Sequence, residues 1–365
     1  MAEIVIRNLR KEFGSFTAVK GSTFTVGDGE FFMLLGPSGC GKTTTLRMIA
    51  GLELPTSGEI LIGGEDVSQR PASKRDIAMV FQMFALYPHM NVRKNISYPL
   101  VSQGMPRDRV ATKVTEVART LDIAHLLDKG VGGLSGGDRQ RVALARAIVR
   151  EPKAFMLDEP LGALDAEFRE HMAEELRSLH NRMGATTVYV THDQLEAMQM
   201  GDKIVIMNHG VVEQFGVPQD LYDWPATMFV AEFLGSPPMN FLRFDGIVGR
   251  GMAAVTLGEA VIDVPQQRED AHGALALGVR PEHVHLDDAA PTRGRVIAAE
   301  YLGTSQIVTL ATPHGEVKAR IPSARAVRSG DTTGLSFDAR TLSLFDVATG
   351  RALSSAANQT VLAHG

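Results

Sequence analysis

The sequence is poor in cysteine, in aromatic residues and in long apolar runs. Cys40 is the one cysteine among 365 residues. That excludes an internal disulfide framework and a cysteine-rich zinc site, and it fits a reducing compartment. Aromatic residues make up 6%, with a single tryptophan. No run approaches the roughly 18 consecutive apolar residues that suggest a membrane-spanning helix; the longest, such as Phe31–Leu35, are strand-sized. An excess of positive charge is also missing. The 37 Lys and Arg against 42 Asp and Glu leave a net charge of −5, which argues against a bulk electrostatic binder of nucleic acid or membrane surface. The opening MAEIVIRNLRKEFG alternates apolar and polar residues and lacks the apolar core of a secretory leader.

What is present is globular. Hydrophobic residues make up 44% and charged residues 22%, and a prior of about 100–200 residues per domain suggests two domains or three. Residues 2–9 alternate like a strand, and 21–35 (GSTFTV, a DGE turn, FFMLL) read as a hairpin leading into a buried strand. Short apolar strands follow at 77–81 and 154–160, the latter ending in acids, with a strand TTVYVTHD at 186–193 and a hairpin turning at His209-Gly210. Helical periodicity covers 46–51, most of 91–129, 137–152 and 165–183. This alternation implies a mainly parallel α/β sheet. At Gly235-Ser236-Pro237-Pro238 the composition shifts, and a Pro-Pro step cannot continue a helix. Beyond it, short alternating strands with frequent turns suggest a small all-β barrel or sandwich. The expected domains are therefore 1–235, with a helical subdomain at about 88–150, and 236–365.

The first chemical motif is Gly36-Pro37-Ser38-Gly39-Cys40-Gly41-Lys42-Thr43, followed by Thr44, between a strand and a helix. Glycines let main-chain N–H groups curl around a polyphosphate, and the following helix aims its positive end at the same point. Lys42 reaches the terminal phosphates and the Thr43 hydroxyl suits Mg²⁺. The second motif is the acid pair at the end of the 154–160 strand: Asp158 is placed to hold Mg²⁺ and Glu159 to polarise an attacking water. His192 follows another strand and by itself reads either as a structural histidine or as one that could hydrogen-bond a terminal phosphate. Gln82 follows the 77–81 strand and is uninformative by itself.

Leu134-Ser135-Gly136-Gly137-Asp138-Arg139-Gln140-Arg141 resembles the signature of ATP-binding cassette (ABC) proteins. The resemblance covers about residues 1–235 and orders the remaining pieces. It implies a P-loop nucleotide-binding domain, with a mixed sheet and a helical subdomain, that binds ATP and Mg²⁺. Phe13 looks like the adenine-stacking aromatic. Gln82 resembles the Q-loop glutamine, reaching both the metal and the attacking water. Asp158 and Glu159 resemble the Walker B pair, Leu164-Asp165 the D-loop and His192 the switch histidine. Ser135, Gly136, Gly137 and Asp165 would meet nucleotide held by the opposite subunit. Three positions depart from the pattern: Asp138 where Gln is usual, Gly162-Ala163 before the D-loop Leu-Asp, and Phe13 where Tyr is commoner.

The resemblance also implies partners. A second copy would complete the site, and two transmembrane permease subunits would carry the solute. An extracytoplasmic solute-binding protein would act indirectly, with no nucleic acid involved. The chain would sit peripherally on the cytoplasmic face of the inner membrane. Residues 84–90, beside Gln82, read either as a buried turn or as a cleft for a short helix of a membrane partner. Stretches 87–90, 229–237, 277–283 and 300–303 resemble maltose-type importer ATPases with a C-terminal OB-like regulatory domain. Arg169–Met172 and Pro237–Phe241 lean towards polyol and glycerol-type members. The rival readings are a soluble ABC ATPase without transport, an exporter ATPase, and a non-enzymatic regulator.

Overall fold

The computed structural model describes residues 2–81, 85–162 and 166–363, without the side chains of 166–168. It divides into two compact units, Met1–Val212 and Glu213–Gly365.

In chain order the first unit contains β1 (Ile4–Phe13), β2 (Phe16–Val26), β3 (Phe31–Leu35), α1 (Lys42–Ala50), β4 (Ser57–Ile62), β5 (Glu65–Asp66) and β6 (Ile77–Val80). There follow α2 (Val92–Ser102), α3 (Arg107–Thr120), α4 (Gly136–Ile148), β7 (Ala154–Asp158), α5 (Ala166–Met183), β8 (Thr186–Thr191), α6 (Gln194–Met200), β9 (Lys203–Asn208) and β10 (Val211–Gly216), where the unit ends. An antiparallel sheet has the order β2-β1-β4-β5, and a second sheet the order β10-β9-β3-β8-β7-β6.

The second sheet is parallel where it matters. β3 pairs in parallel with β8 and β9, β7 with β6 and β8. Every residue of β3, β7 and β8 is buried, as expected of central parallel strands covered on both faces. Parallel strands bring their carboxyl ends to one edge, where ligands of open α/β sheets bind. That edge carries the phosphate loop after β3, the acids after β7 and His192 after β8.

The expected hairpin over 21–35 is not formed. β2 pairs with β1, with Phe13 opposite Phe16 around Gly14-Ser15, while β3 belongs to the other sheet. The DGE turn carries the chain between sheets, because five consecutive buried residues cannot share a strand pair with one wet face. The helical stretch of 91–129 resolves into α2, capped by Asn91 whose side chain accepts from the Lys94 N–H (2.9 Å), and α3. Pro106 starts α3, which buries Val110, Val114 and Ala118 at helical spacing.

The second unit opens with α7 (Pro218–Asp223) and α8 (Met228–Phe233). A three-stranded sheet follows, of β11 (Asn240–Val248), β14 (Ala271–Val279) and β20 (Ser343–Asp346), with a hairpin of β12 (Ala254–Leu257) and β13 (Ala260–Asp263). A five-stranded sheet runs β15 (Val284–Leu286), β19 (Thr332–Phe337), β16 (Thr292–Tyr301), β17 (Ser305–Thr312), β18 (Gly315–Pro322). Alternate residues such as Val317, Ala319 and Ile321 fill the core. The Gly235–Pro238 stretch lies inside this compact unit. Arg280, 2% exposed, bonds the carbonyls of Tyr222, Ala231 and Leu234 at the ends of α7 and α8 and stacks 4.0 Å from the Tyr222 ring centroid. A buried guanidinium needs such acceptors, and they tie 222–234 to the β region.

Candidate functional site

The phosphate loop is held by backbone that only glycine allows. Gly36 has φ +154°, and a Cβ there would collide with the Met207 carbonyl. Gly41 has φ +110°, and a Cβ would come within 2.6 Å of the Ala18 carbonyl. Gly41 also caps α1 without a side chain, so the first-turn N–H groups remain for an anion. Lys42 is 4% exposed and donates from Nζ to the carbonyls of Gly36 (2.7 Å) and Pro37 (2.9 Å). Ser38 and Gly39 are exposed, and Thr44 is half-buried in the first turn of α1. Cys40 is 3% exposed, its carbonyl accepts from the Gly210 N–H (2.9 Å), and burial pushes its thiol pKa up. It is a packing residue of the loop.

Two acids meet this loop from β7. The Thr43 hydroxyl donates to Asp158 Oδ1 at 3.3 Å. Asp158 is 7% exposed; burial raises its carboxyl pKa, while the Thr43 hydrogen bond and the Arg47 charge pull it down. Glu159 adopts φ +45°, a strained conformation for a side chain with Cβ, costing of order 1–3 kcal/mol. Its N–H bonds the Val190 carbonyl at 3.0 Å. The turn brings Glu159 Oε2 to 3.4 Å from His192 Nδ1. An acid at a strand end, aimed at a histidine from the neighbouring strand, is an arrangement suited to handling a proton.

Behind His192 stands a set of residues the sequence reading missed. Glu196, 6% exposed, accepts from the hydroxyls of Tyr189 (2.9 Å) and Thr191 (2.8 Å). Burial raises the pKa of Glu196, and burial together with Glu196 raises that of Tyr189. Thr191 Oγ1 accepts from the Asp193 N–H at 2.9 Å, and Asp193 caps α6. Arg169 of α5 donates to Asp193 Oδ2 at 3.2 Å and lies 3.9 Å from Glu196 Oε1. Both neighbours of His192 in the chain are thereby fixed. The legible signal was Asp193-x-x-Glu196, the spacing of a helix-capping box; the partnership with Arg169 is not local. Arg169 therefore belongs to this network, His171 pairs with Glu175 at 3.3 Å and Met172 is core.

The signature segment begins α4. Ser135 is the cap residue: its Oγ accepts from the Asp138 N–H (3.1 Å) and donates to Asp138 Oδ2 (2.8 Å). Gly136 is exposed beside it and Gly137 is buried. Phe13 is 46% exposed, with Lys11 Nζ 4.8 Å from its ring centroid. Phe16, 61% exposed and not singled out from sequence, lines a cleft of about 280 Å³ with Thr17, Lys20, Gly39 and His209. Only the β1–β2 pairing brings it beside the loop. Gln82, Phe84, Leu164 and Asp165 lie outside the described residues. From 85–90, Tyr87 packs on Tyr98 (centroids 4.8 Å apart) and Arg146 stacks on Tyr87 while bonding the Ala85 carbonyl (2.7 Å). These side chains border an open cleft of about 400 Å³ with Met79, Pro99 and Gln103.

The ABC transporter family model matches residues 19–162, the MalK OB fold domain 235–284 and the TOBE domain 277–345. The chain is 46% identical over 368 residues to the sn-glycerol-3-phosphate import ATP-binding protein UgpC of Rhodopseudomonas palustris (strain BisA53), covering 95% of this chain and 98% of that protein. It is 45% identical over 371 residues to the trehalose/maltose import ATP-binding protein MalK of Thermococcus litoralis, covering 97% and 100%. It is 44% identical over 389 residues to the trehalose import ATP-binding protein SugC of Mycobacterium tuberculosis (strain H37Rv), covering 97% and 99%. Among solved structures, the dimeric structure of MJ0796, a bacterial ABC transporter cassette, is 30% identical with TM-score 0.53, covering 59% of this chain and 98% of that one.

Proposed function

The chain belongs to the ABC family and is an ATP-hydrolysing subunit of an importer; from that premise we propose that two copies close around two ATP molecules to drive uptake of a sugar, polyol or glycerol-type solute through separate membrane subunits. The observation that carries the mechanism is the pairing at one sheet edge of Thr43 with Asp158 and of Glu159 with His192.

Lys42 and the N–H groups of Gly39, Gly41, Lys42, Thr43 and Thr44 bind the phosphates, with Pro37, Ser38 and Cys40 shaping the loop. Arriving phosphate oxygens replace the Gly36 and Pro37 carbonyls on Lys42 Nζ. Phe13, with Phe16 beside it, offers a face for the adenine. Mg²⁺ fits the donor set: a hydroxyl and a buried carboxylate 3.3 Å apart, all oxygen, leaving the remaining positions to phosphate and water. When bound, the ion offsets charge on the phosphates. Thr43 and Asp158 would hold it, with Gln82. Glu159 accepts a proton from water as its oxygen bonds the γ-phosphorus. The bond from that phosphorus to the bridging oxygen breaks, releasing ADP and phosphate. His192 orients Glu159 and faces the departing phosphoryl group. Ser135, Gly136, Gly137 and Asp165 of the second copy close the site, so hydrolysis removes a shared contact and the pair opens.

The open cleft bordered by Tyr87, Tyr98 and Arg146 is the docking place for a short helix of a membrane subunit. No described helix is long and apolar enough to cross a membrane, which fits a peripheral subunit at the cytoplasmic face. Domain limits of 1–235 for the nucleotide-binding domain and 236–365 for the regulatory domain are proposed from the start of the matched OB model at residue 235, whereas the compact units divide between Val212 and Glu213. Of the rival readings, neither exporter nor soluble ATPase fits relatives that are import proteins along 95% or more of the chain. The relatives' solutes, glycerol 3-phosphate, trehalose and maltose, support the solute class. The test is to copurify the chain with its membrane and binding proteins and screen solutes of that class. Stimulated ATPase by a sugar, polyol or glycerol phosphate is expected; stimulation only by an unrelated class overturns the reading.

A further inference from the structure

We propose that Asp138 is an internal competitor for the γ-phosphate, holding the signature half of the site in check until ATP is abundant. The inference rests on the composite site proposed above and concerns a residue at which this chain departs from the family pattern.

Ser135 has one hydroxyl proton. In the single chain it is donated to Asp138 Oδ2 at 2.8 Å, while the Asp138 N–H donates back to Ser135 Oγ at 3.1 Å. The carboxylate thus occupies the acceptor position that a terminal phosphoryl oxygen would take on Ser135. It also adds negative charge at the N-terminus of α4, whose positive end favours either anion. The adjacent cation does not offset it. Arg139 is turned away, donating to the carbonyls of Leu134 (3.1 Å) and Gly132 (3.4 Å). A longer glutamine or a neutral asparagine would bring an N–H₂ donor and no charge. With Asp138, γ-phosphate binding must break the Ser135–Asp138 hydrogen bond and bring two anions together. With an amide the anion–anion cost is gone, and the amide oxygen that can still accept from Ser135 is an uncharged and weaker acceptor than the carboxylate. ADP has no γ-phosphate, so the effect belongs to ATP alone. As a simple helix cap the pair would favour the folded signature, and its loss would weaken the site. The two roles therefore predict opposite signs.

The experiment compares full-length wild type with Asp138→Asn and Asp138→Gln, measuring the ATP concentration for half-maximal ATPase and the ADP dissociation constant. The proposal expects the ATP requirement to fall about three- to tenfold in both variants, with ADP affinity unchanged. An ATP requirement that is unchanged or higher overturns it. So does a fall matched by an equal gain in ADP affinity, which would place the effect on the phosphate loop. Ser135→Ala is the control for the composite site: if it leaves ATPase untouched, the premise fails independently of Asp138.

Discussion

The two halves of the nucleotide site differ in how they are held. The phosphate-loop half is buried: Lys42 and Asp158 are 4% and 7% exposed, and neighbouring strands fix Thr43, Asp158 and Glu159. The signature half is an exposed helix start whose serine is bonded within its own turn. The buried half is organised before ligand arrives, so in the proposed mechanism phosphate binding and chemistry belong there. In the composite site proposed above, the exposed half would respond to what a second copy presents and so report whether the γ-phosphate is still attached. This contrast means that variants in the first half should change binding or chemistry for a single chain, and variants in the second only what depends on the second copy.

The largest expected effect is at Glu159. Glu159→Gln should lower turnover by about 10²–10⁴-fold while ATP still binds, measured by steady-state ATPase and equilibrium binding; near-normal turnover would remove Glu159 from the proton-accepting role. Lys42→Ala comes next. It removes charge-assisted contacts worth about 1.5–3 kcal/mol, so ATP and ADP affinity should both fall by about 10–150-fold. Loss of ATP affinity alone would break the assignment of Lys42 to the buried half. Ser135→Ala should reduce turnover by about tenfold, as one hydrogen bond to a charged group allows, and leave ADP affinity unchanged. Arg169→Ala should lower kcat a few-fold with little change in KM for ATP, since it frees the loop carrying His192 without touching the phosphates; Arg169→Lys should recover part of the loss. The smallest effect is at Cys40. Its raised thiol pKa and burial keep the thiolate scarce, so alkylation at pH 8 should be slower than that of a free cysteine. Rapid labelling would show the loop to be looser than described.

The placement of the buried half's residues at one sheet edge was legible because each of its motifs is local. A glycine-rich run, an acid pair and a histidine each follow a short apolar strand, and parallel pairing brings strand ends together without further information. What escaped was non-local. Nothing in GSTFTV-DGE-FFMLL tells whether two strands flanking a turn pair with each other, and here they enter different sheets. Arg169 and Glu196 are ordinary charged helix residues until folding places them behind His192. The β-rich character beyond residue 238 was legible, but individual strands were harder to see: β11 adjoins the Pro-Pro step and contains Gly246, and β15 and β20 have three and four residues. The stretch 213–235 joins the second unit through the buried Arg280, a partnership with no sequence period. Asp138 was visible as a departure, yet its bond to Ser135, on which the proposed role rests, came only with the geometry.

The most direct test of the account is a structure of Glu159→Gln with MgATP trapped. The account predicts two copies with each Ser135 hydroxyl within about 3 Å of a γ-phosphate oxygen on nucleotide held by the other copy's Lys42. Nucleotide on both phosphate loops with Ser135 still bonded to Asp138 and facing solvent would contradict it.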